Sequence, residues 1–497
     1  MSKYDIIIIG SGLGGLECGA ILSKEGYNVC VLEKNSLFGG CFQTYHRKGY
    51  LLDTGIHYIG SLDEGQTMNQ YFRYLGIMDK LSVKRMDEAV FDRIYYKNKT
   101  YDYAIGHERF IETLCQSFPQ EREHLKDYVK SVRTVGNLIN VEHLKKGIIS
   151  EEGMSYFETS TAKLIQETIG SPDLQNILAG SSLLYGGIKE KSTFYEHAMI
   201  TNSYIEGAYR FVNGSMQVSE ELINVIKSNG GTVLNNKEVT RILVKDELVQ
   251  GVEANREEII EGKYIISNIH PKLTLSLLEK NHSIKPAYIS RINSLENSYG
   301  VFTVNLLMKK DSCPYLNHNL YLHQFDDVWY NKEKHAGLTP SCLISMQASA
   351  QSNRYTDVVS ILTPMYIQEL SPWIDITKPE NRGEGYALFK EQKTKQVLNF
   401  MNQQGINFDD SIEAIHTTTP LSYRDYTGTI DGSAYGIIKN CQYPQVGFVS
   451  TQTKLKNLLL TGQNMNVHGA LGVTLTAMLT CSVFVGQEYL AKKVGYA

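Results

Sequence analysis

Lys3-Tyr4-Asp5-Ile6-Ile7-Ile8-Ile9 runs without a break into Gly10-Ser11-Gly12-Leu13-Gly14-Gly15. A short apolar, β-branched run bounded by glycine reads as a buried parallel strand. Gly10, Gly12 and Gly15 fit G-x-G-x-x-G. Gly10 permits the tight turn out of the strand, Gly12 lets a pyrophosphate approach bare backbone, and Gly15 lets the next helix pack close to the sheet. That helix is expected from about Leu13 to Lys24. Its first residues, Leu13 and Gly14, would turn their amides and the positive end of the helix dipole towards the phosphates. Gly26 ends it, and Asn28-Val29-Cys30-Val31-Leu32 reads as the next strand. Glu33 closes that strand, with Lys34 beside it, where a carboxylate can accept both ribose hydroxyls of an adenosine. The glycine motif alone is weak; within a βαβ unit, with an acid about twenty residues on, it is strong.

The chain has 497 residues, enough for two or three domains. A hydrophobic share of 42%, a charged share of 21% and a net charge of -4 without long single-sign runs describe an ordinary globular protein and argue against nucleic acid as a partner. The eight cysteines are scattered and none forms C-x-x-C. A reducing compartment is therefore expected, with no disulfide framework and no metal site. The run at residues 6–9 is too short for a signal or a membrane span, so a cytoplasmic location is expected. An apolar patch would still allow peripheral membrane contact.

Two further glycine-rich blocks point at the same nucleotide. Gly39-Gly40 returns backbone towards it and suggests a cofactor that continues past the pyrophosphate. Near the other end, Asn457-Leu458-Leu459-Leu460-Thr461-Gly462 reads as a strand into a turn. Gln463-Asn464-Met465-Asn466-Val467-His468-Gly469-Ala470-Leu471-Gly472 then leads into a helix expected from Val473 to about Lys492. Between the first two blocks and the rest, Leu52-Asp53-Thr54-Gly55-Ile56-His57-Tyr58 reads as a turn approaching a ligand.

The spacing of the glycine motif, Glu33, Gly39-Gly40 and Leu52 to Tyr58 resembles the phytoene desaturase-like flavoproteins, nearest to the branch of retinol saturases and carotenoid isomerases. Thr419-Pro420 and Gly432-Ser433-Ala434-Tyr435-Gly436 match a pattern of that branch. The resemblance implies an α/β fold: a glutathione-reductase-type FAD-binding Rossmann domain (1–75, 205–285 and 440–497) with an inserted mixed α+β substrate domain (76–204 and 286–439) carrying a helical cap. It implies that Val239 meets the adenine through its backbone. It also implies that Gly462, Gln463, Asn464, Gly469, Gly472 and Val473 cover the flavin and ribityl chain. Many relatives have Gly-Asp where this chain has Gly462-Gln463-Asn464; Asn464 could still hydrogen-bond there.

The implied activity is FAD-dependent oxidoreduction at C=C bonds of a long apolar isoprenoid, carotenoid or retinoid, with saturation first and desaturation or cis–trans isomerisation as alternatives. An amine oxidase-type flavoenzyme is the alternative of another class. Saturation needs a proton donor; the candidates are His57, Tyr58 and, more weakly, His468. With a single glycine motif there is no separate NAD(P) domain, so NAD(P)H would serve as a transient reductant.

Elsewhere, 66–204 reads mostly helical, with helices at Gln66–Leu75, Glu108–Phe118, Glu121–Val141 and Thr161–Ile169. A helix from Gln217 to Ser228 and a strand at Thr232–Leu234 precede a hairpin of Val239–Val244 with Val249–Ala254 and a strand at Tyr264–Asn268. Residues 286–450 read as a mixed sheet (Val301–Leu307, Leu343–Met346, Val358–Thr363) with a helix at Gly385–Gln404, and Pro420–Gly436 as a polar loop.

Overall fold

The structure is a computed structural model and describes residues 3–139, 151–278 and 284–496. Its first sheet is organised around Tyr4–Ile9, whose Ile6, Ile7 and Ile8 are fully buried. This strand pairs in parallel with Val29–Leu32 on one side and Glu258–Ser267 on the other. Thr232–Leu234 extends the parallel array beyond Val29–Leu32, and Leu458–Leu460 joins Glu258–Ser267. The hairpin of Val239–Lys245 and Leu248–Ala254 continues from Glu258–Ser267 in antiparallel fashion. The helix Leu13–Lys24 packs between Met216–Ser228 and Gly469–Val485. A parallel sheet needs both faces covered: these helices pack on the side of Ile6 and Ile8, and Val239, Ile242, Val249 and Val252 of the hairpin pack with Ile7 and Ile9 on the other.

The second sheet runs Ile412–Thr418, Gly300–Met308, Val358–Met365, Ser341–Met346, Asn319–His323, Asp92–Tyr96, Lys99–Tyr103. Its pairings are antiparallel except Asn319–His323 with Asp92–Tyr96. The helix Gly383–Gln403 packs Val397, Phe400 and Met401 into its core.

The parallel strands, the hairpin and the main helices lie where the sequence places them. Four segments differ. Residues 83–103 are strands rather than helices: Asp92–Tyr96 and Lys99–Tyr103 form a hairpin through Lys97 and Asn98, both at positive φ. Phe194–Glu206 is a helix buried on nearly every side, so it carries no amphipathic period to read. Pro420–Thr427 is a helix with a Thr419 capping box, not loop. The C-terminal helix spans Gly469–Val485 and breaks at Gly486 (φ 90°) before a second helix, Gln487–Gly495. The expected helix Glu121–Val141 is seen as Arg122–Leu138; residues 140 and 141 lie outside the described residues. Among the described residues, no helix is long and apolar enough to cross a membrane.

Candidate active site: a cleft of main chain

The three glycine-rich blocks converge on one cleft of about 420 Å³. Gly10, Gly12, Leu13, Gly14, Glu33, Lys34, Gly39, Gly40, Val239, Gly462, Gln463, Asn464, Gly469 and Val473 all line it. Gly15 and Gly472 lie behind its wall. A Cβ on Gly15 would stand 2.1 Å from the Gly10 carbonyl oxygen, and one on Gly472 would stand 2.8 Å from the Val467 carbonyl carbon. Both glycines therefore bring helix against backbone. A Cβ on Gly14 would approach Gly462 Cα to 3.2 Å, and one on Gly40 would approach Gly12 Cα to 3.2 Å. The cradle is thus main chain packed on main chain, the surface a pyrophosphate requires. Gly12 stands at the N-cap of the first helix and His468 at that of the C-terminal helix, and neither end is capped by a side chain.

Glu33 is buried and already employed. Its Oε2 accepts from Ser11 N (3.0 Å) and Ser11 Oγ (2.7 Å), and its Oε1 from Asn35 N (2.9 Å). Ser11 Oγ also accepts from Gly39 N, so one carboxylate holds both glycine loops while keeping lone pairs for further donors.

Asn268, which the sequence marks only as a strand end, stands between the loops. Its Nδ2 donates to Gly10 O, and its amide would meet a Cβ on Gly12, Gly14 or Gly462 at 2.9 Å or less. Asn464 Oδ1 accepts from Ile437 N and fills the space a Cβ on Gly436 would need. The segment Tyr426–Thr429 closes over the Lys34 end, tied down by Asn35 Nδ2 donating to Tyr426 O. A lone Asn and a helix end carry no sequence signal for such roles.

At the other end the cleft is bounded by Cys41, Gly55, Ile56 and Tyr435. Burial pushes the Cys41 thiol up to about 11, so it stays protonated. Tyr435 donates its hydroxyl to Leu183 O.

His57, Tyr58 and His468 do not line this cleft. Tyr58 donates to Asp92 Oδ2 (3.0 Å) and shares a hydrogen bond with the Tyr321 hydroxyl (2.6 Å). Burial raises Asp92 to about 7 although it accepts from Asn319 Nδ2. Asn319 Oδ1 in turn accepts from Arg210, whose other terminal nitrogen donates to Ser345 Oγ. His57 faces a small separate cavity beyond Ile56. Burial, and then the nearby Arg210 charge, lower it to about 4, so it is neutral. His468 sits behind Tyr435, with Nε2 at 3.1 Å from Tyr185 O and 3.5 Å from Glu196 Oε1; burial lowers it to about 4 as well.

A parallel sheet whose glycine-rich turns meet in one cleft, closed by segments from near both chain ends, defines a Rossmann-type dinucleotide-binding protein. A family model for the NAD(P)-binding Rossmann-like domain matches residues 8–75. The chain is 26% identical to all-trans-retinol 13,14-reductase of Danio rerio over 96% of this chain and 85% of that protein. It is 21% identical to the chloroplastic prolycopene isomerase of Daucus carota over 87% of this chain and 72% of that one. Among solved structures, putrescine oxidase bound to putrescine superposes with a TM-score of 0.64 at 11% identity, covering 97% of this chain and 99% of that one. These findings bear out the resemblance to the phytoene desaturase-like flavoproteins, with its retinol saturase and carotenoid isomerase branch, and the α/β Rossmann fold class.

Proposed function

We propose that this chain is an FAD-dependent oxidoreductase that saturates a C=C bond of a long apolar, retinoid-like polyene. The observation that carries the reading is the cleft in which Gly10, Gly12 and Gly14, Gly39-Gly40, and Gly462, Gly469 and Val473 meet. Near-full-length similarity to proteins named as a retinol reductase and a prolycopene isomerase supports action on C=C bonds. The flavin supplies hydride chemistry at carbon when bound.

The chain's own residues do the rest. Glu33 and the Val239 backbone receive the adenosine end, and the amides of Leu13 and Gly14 receive the phosphates. Gln463, Asn464 and the start of the Gly469–Val485 helix border the ring end. The protic groups near that end include the Cys41 thiol and the Ser433 and Tyr435 hydroxyls, and Tyr435's proton is committed to Leu183 O. We assign Cys41 as the proton donor; His57 and Tyr58 lie beyond the wall and hold it in shape. Free NAD(P)H is the proposed reductant, and the proposed membrane contact is peripheral.

Anaerobic incubation of photoreduced holoprotein with all-trans-retinol tests the reading. Product heavier by two hydrogens, reduced about 10²-fold in rate by Cys41→Ala, is expected. Product of unchanged mass and altered geometry would establish isomerisation instead, the reading that the prolycopene isomerase relatives favour. Peroxide release with small amines in air would contradict both.

A further inference from the structure

A cavity of about 10 Å³ backs onto Tyr435, which also lines the cleft. Tyr185, Glu196, Ser298, Lys439 and His468 share its wall. Lys439 is 2% exposed, and its ammonium donates to Gly447 O and Met465 O at 2.9 Å and to Asn464 O at 3.5 Å. An ammonium has three N–H groups and no acceptor, so three carbonyls suit the charged form; a neutral amine would turn a lone pair on one of them. Asn464 lines the cleft and leads through Met465 to His468, the N-cap of the helix Gly469–Val485. The cation therefore holds, from the side away from the cleft, the turn that borders it.

The nearby opposite charge is not bonded to Lys439, whose donors are all taken by carbonyls. Glu196 is 4% exposed; its Oε2 accepts from Thr193 Oγ1, and its Oε1 has no hydrogen-bond partner among the described residues. Burial raises Glu196 from 4.5 to about 8 against the pull of the Lys439 charge. Burial lowers Lys439, and the Glu196 charge opposes that. At neutral pH the two form an ammonium beside a protonated carboxyl, a net positive charge in a dry interior. An apolar side chain would fill the space at lower cost.

We propose that Lys439 is a positioning residue for flavin reduction: acting through the Asn464 and Met465 carbonyls, it keeps a positive charge behind the ring end of the cleft that stabilises the negative charge gained there on reduction. The proposal rests on the reading that a flavin occupies that end. A hydride from NAD(P)H carries two electrons and one proton and leaves NAD(P)+, so the ring gains one negative charge. A fixed cation in a low-dielectric interior favours that form and raises the midpoint potential. Ionisation of Glu196 offsets the cation, so the potential falls further as pH rises through about 8. The other titratable groups around Lys439 keep one state over that range. Burial raises Tyr185 and Tyr435, and it lowers His468 and His270 to about 4.

The test is the midpoint potential of FAD-loaded protein, measured against reference dyes at pH 7 and pH 9, for wild type, Lys439→Met and Glu196→Gln. Lys439→Met should lower the potential at pH 7 by about 30 mV or more, a tenfold loss of reduced over oxidised flavin for a two-electron couple. Glu196→Gln, which cannot offset the cation, should lie above wild type at pH 9. An unchanged potential in Lys439→Met overturns the proposal. Where Lys439→Met does not fold, Glu196→Gln decides: a potential above the wild type's at pH 9 upholds the cation, and an equal one overturns it. Potentials that shift as stated while no polyene is reduced leave the cation standing and remove the proposed reaction. Polyene reduction with unshifted potentials removes the cation alone. A chain that takes up no FAD removes both.

Discussion

Where the segments from near both ends of the chain meet, the walls are main chain: Gly12 against Gly40, Gly14 against Gly462, Gly15 against Gly10, with Asn268 threaded between. Across Ile56 the packing is of side chains: Tyr58, Tyr321, Asp92, Asn319, Arg210 and Ser345 are bonded in a row with almost no exposure. The first region binds by leaving side chains out, so any added carbon is a loss. The second works by filling space with polar groups that satisfy each other, so any removed group leaves an orphan. The two regions should therefore fail in different ways.

The largest effect is expected in the second region. Arg210→Met leaves Asp92 and Asn319 without their cationic partner and should cost about 3–5 kcal/mol of stability by denaturant titration. Asp92→Asn in the same chain should recover part of that loss, because it removes the carboxylate charge that Arg210 no longer offsets. Full additivity of the two changes would break the idea of one network.

Next comes Gly15→Val in the first region. Its Cβ lies 2.1 Å from a backbone oxygen that has nowhere to go, so a loss of about 1–3 kcal/mol is expected, together with loss of the bound nucleotide. A variant that is destabilised yet still loads flavin would show that the close helix–strand approach shapes the fold and not the cradle.

A pH-dependent effect sharpens a boundary case. Glu17 is fully buried on the first helix, takes one hydrogen bond from Thr474 and has no partner for Oε2 among the described residues. Burial raises it from 4.5 to about 8. The folded state thus binds a proton that the unfolded state has lost. Its contribution is complete below pH 4.5, falls by up to roughly 1.4 kcal/mol per pH unit as pH rises, and levels off above about 8. Glu17→Gln should flatten that slope and raise Tm at pH 8; an unchanged pH profile would mean that Glu17 is ionised in the fold.

The same contrast explains what the sequence disclosed. Glycine at fixed spacing is a statement about backbone, and backbone makes the nucleotide cleft, so Gly10 to Gly15, Gly39-Gly40 and Gly462 to Gly472 could be read before any coordinates. Asn268 and Ser11 could not, because one amide or hydroxyl has many uses and only the fold selects one. The strands Asp92–Tyr96 and Lys99–Tyr103 escaped because they are short and mix tyrosine with charge, and Asp92–Tyr96 joins the sheet through Asn319–His323, more than two hundred residues away. Phe194–Glu206 escaped for the opposite reason, being buried all round. His57 illustrates the limit most plainly: its place beside a glycine turn was legible, but the side of Ile56 on which it falls depends on packing.

One measurement bears most directly on the account. Purified chain stripped of ligand and resupplied with FAD should turn yellow, show the bands of oxidised flavin, and gain thermal stability that rises with FAD concentration. Gly15→Val, treated identically, should do neither. A wild-type chain that stays colourless and gains no stability would contradict the claim that segments from near both chain ends fold around one flavin nucleotide.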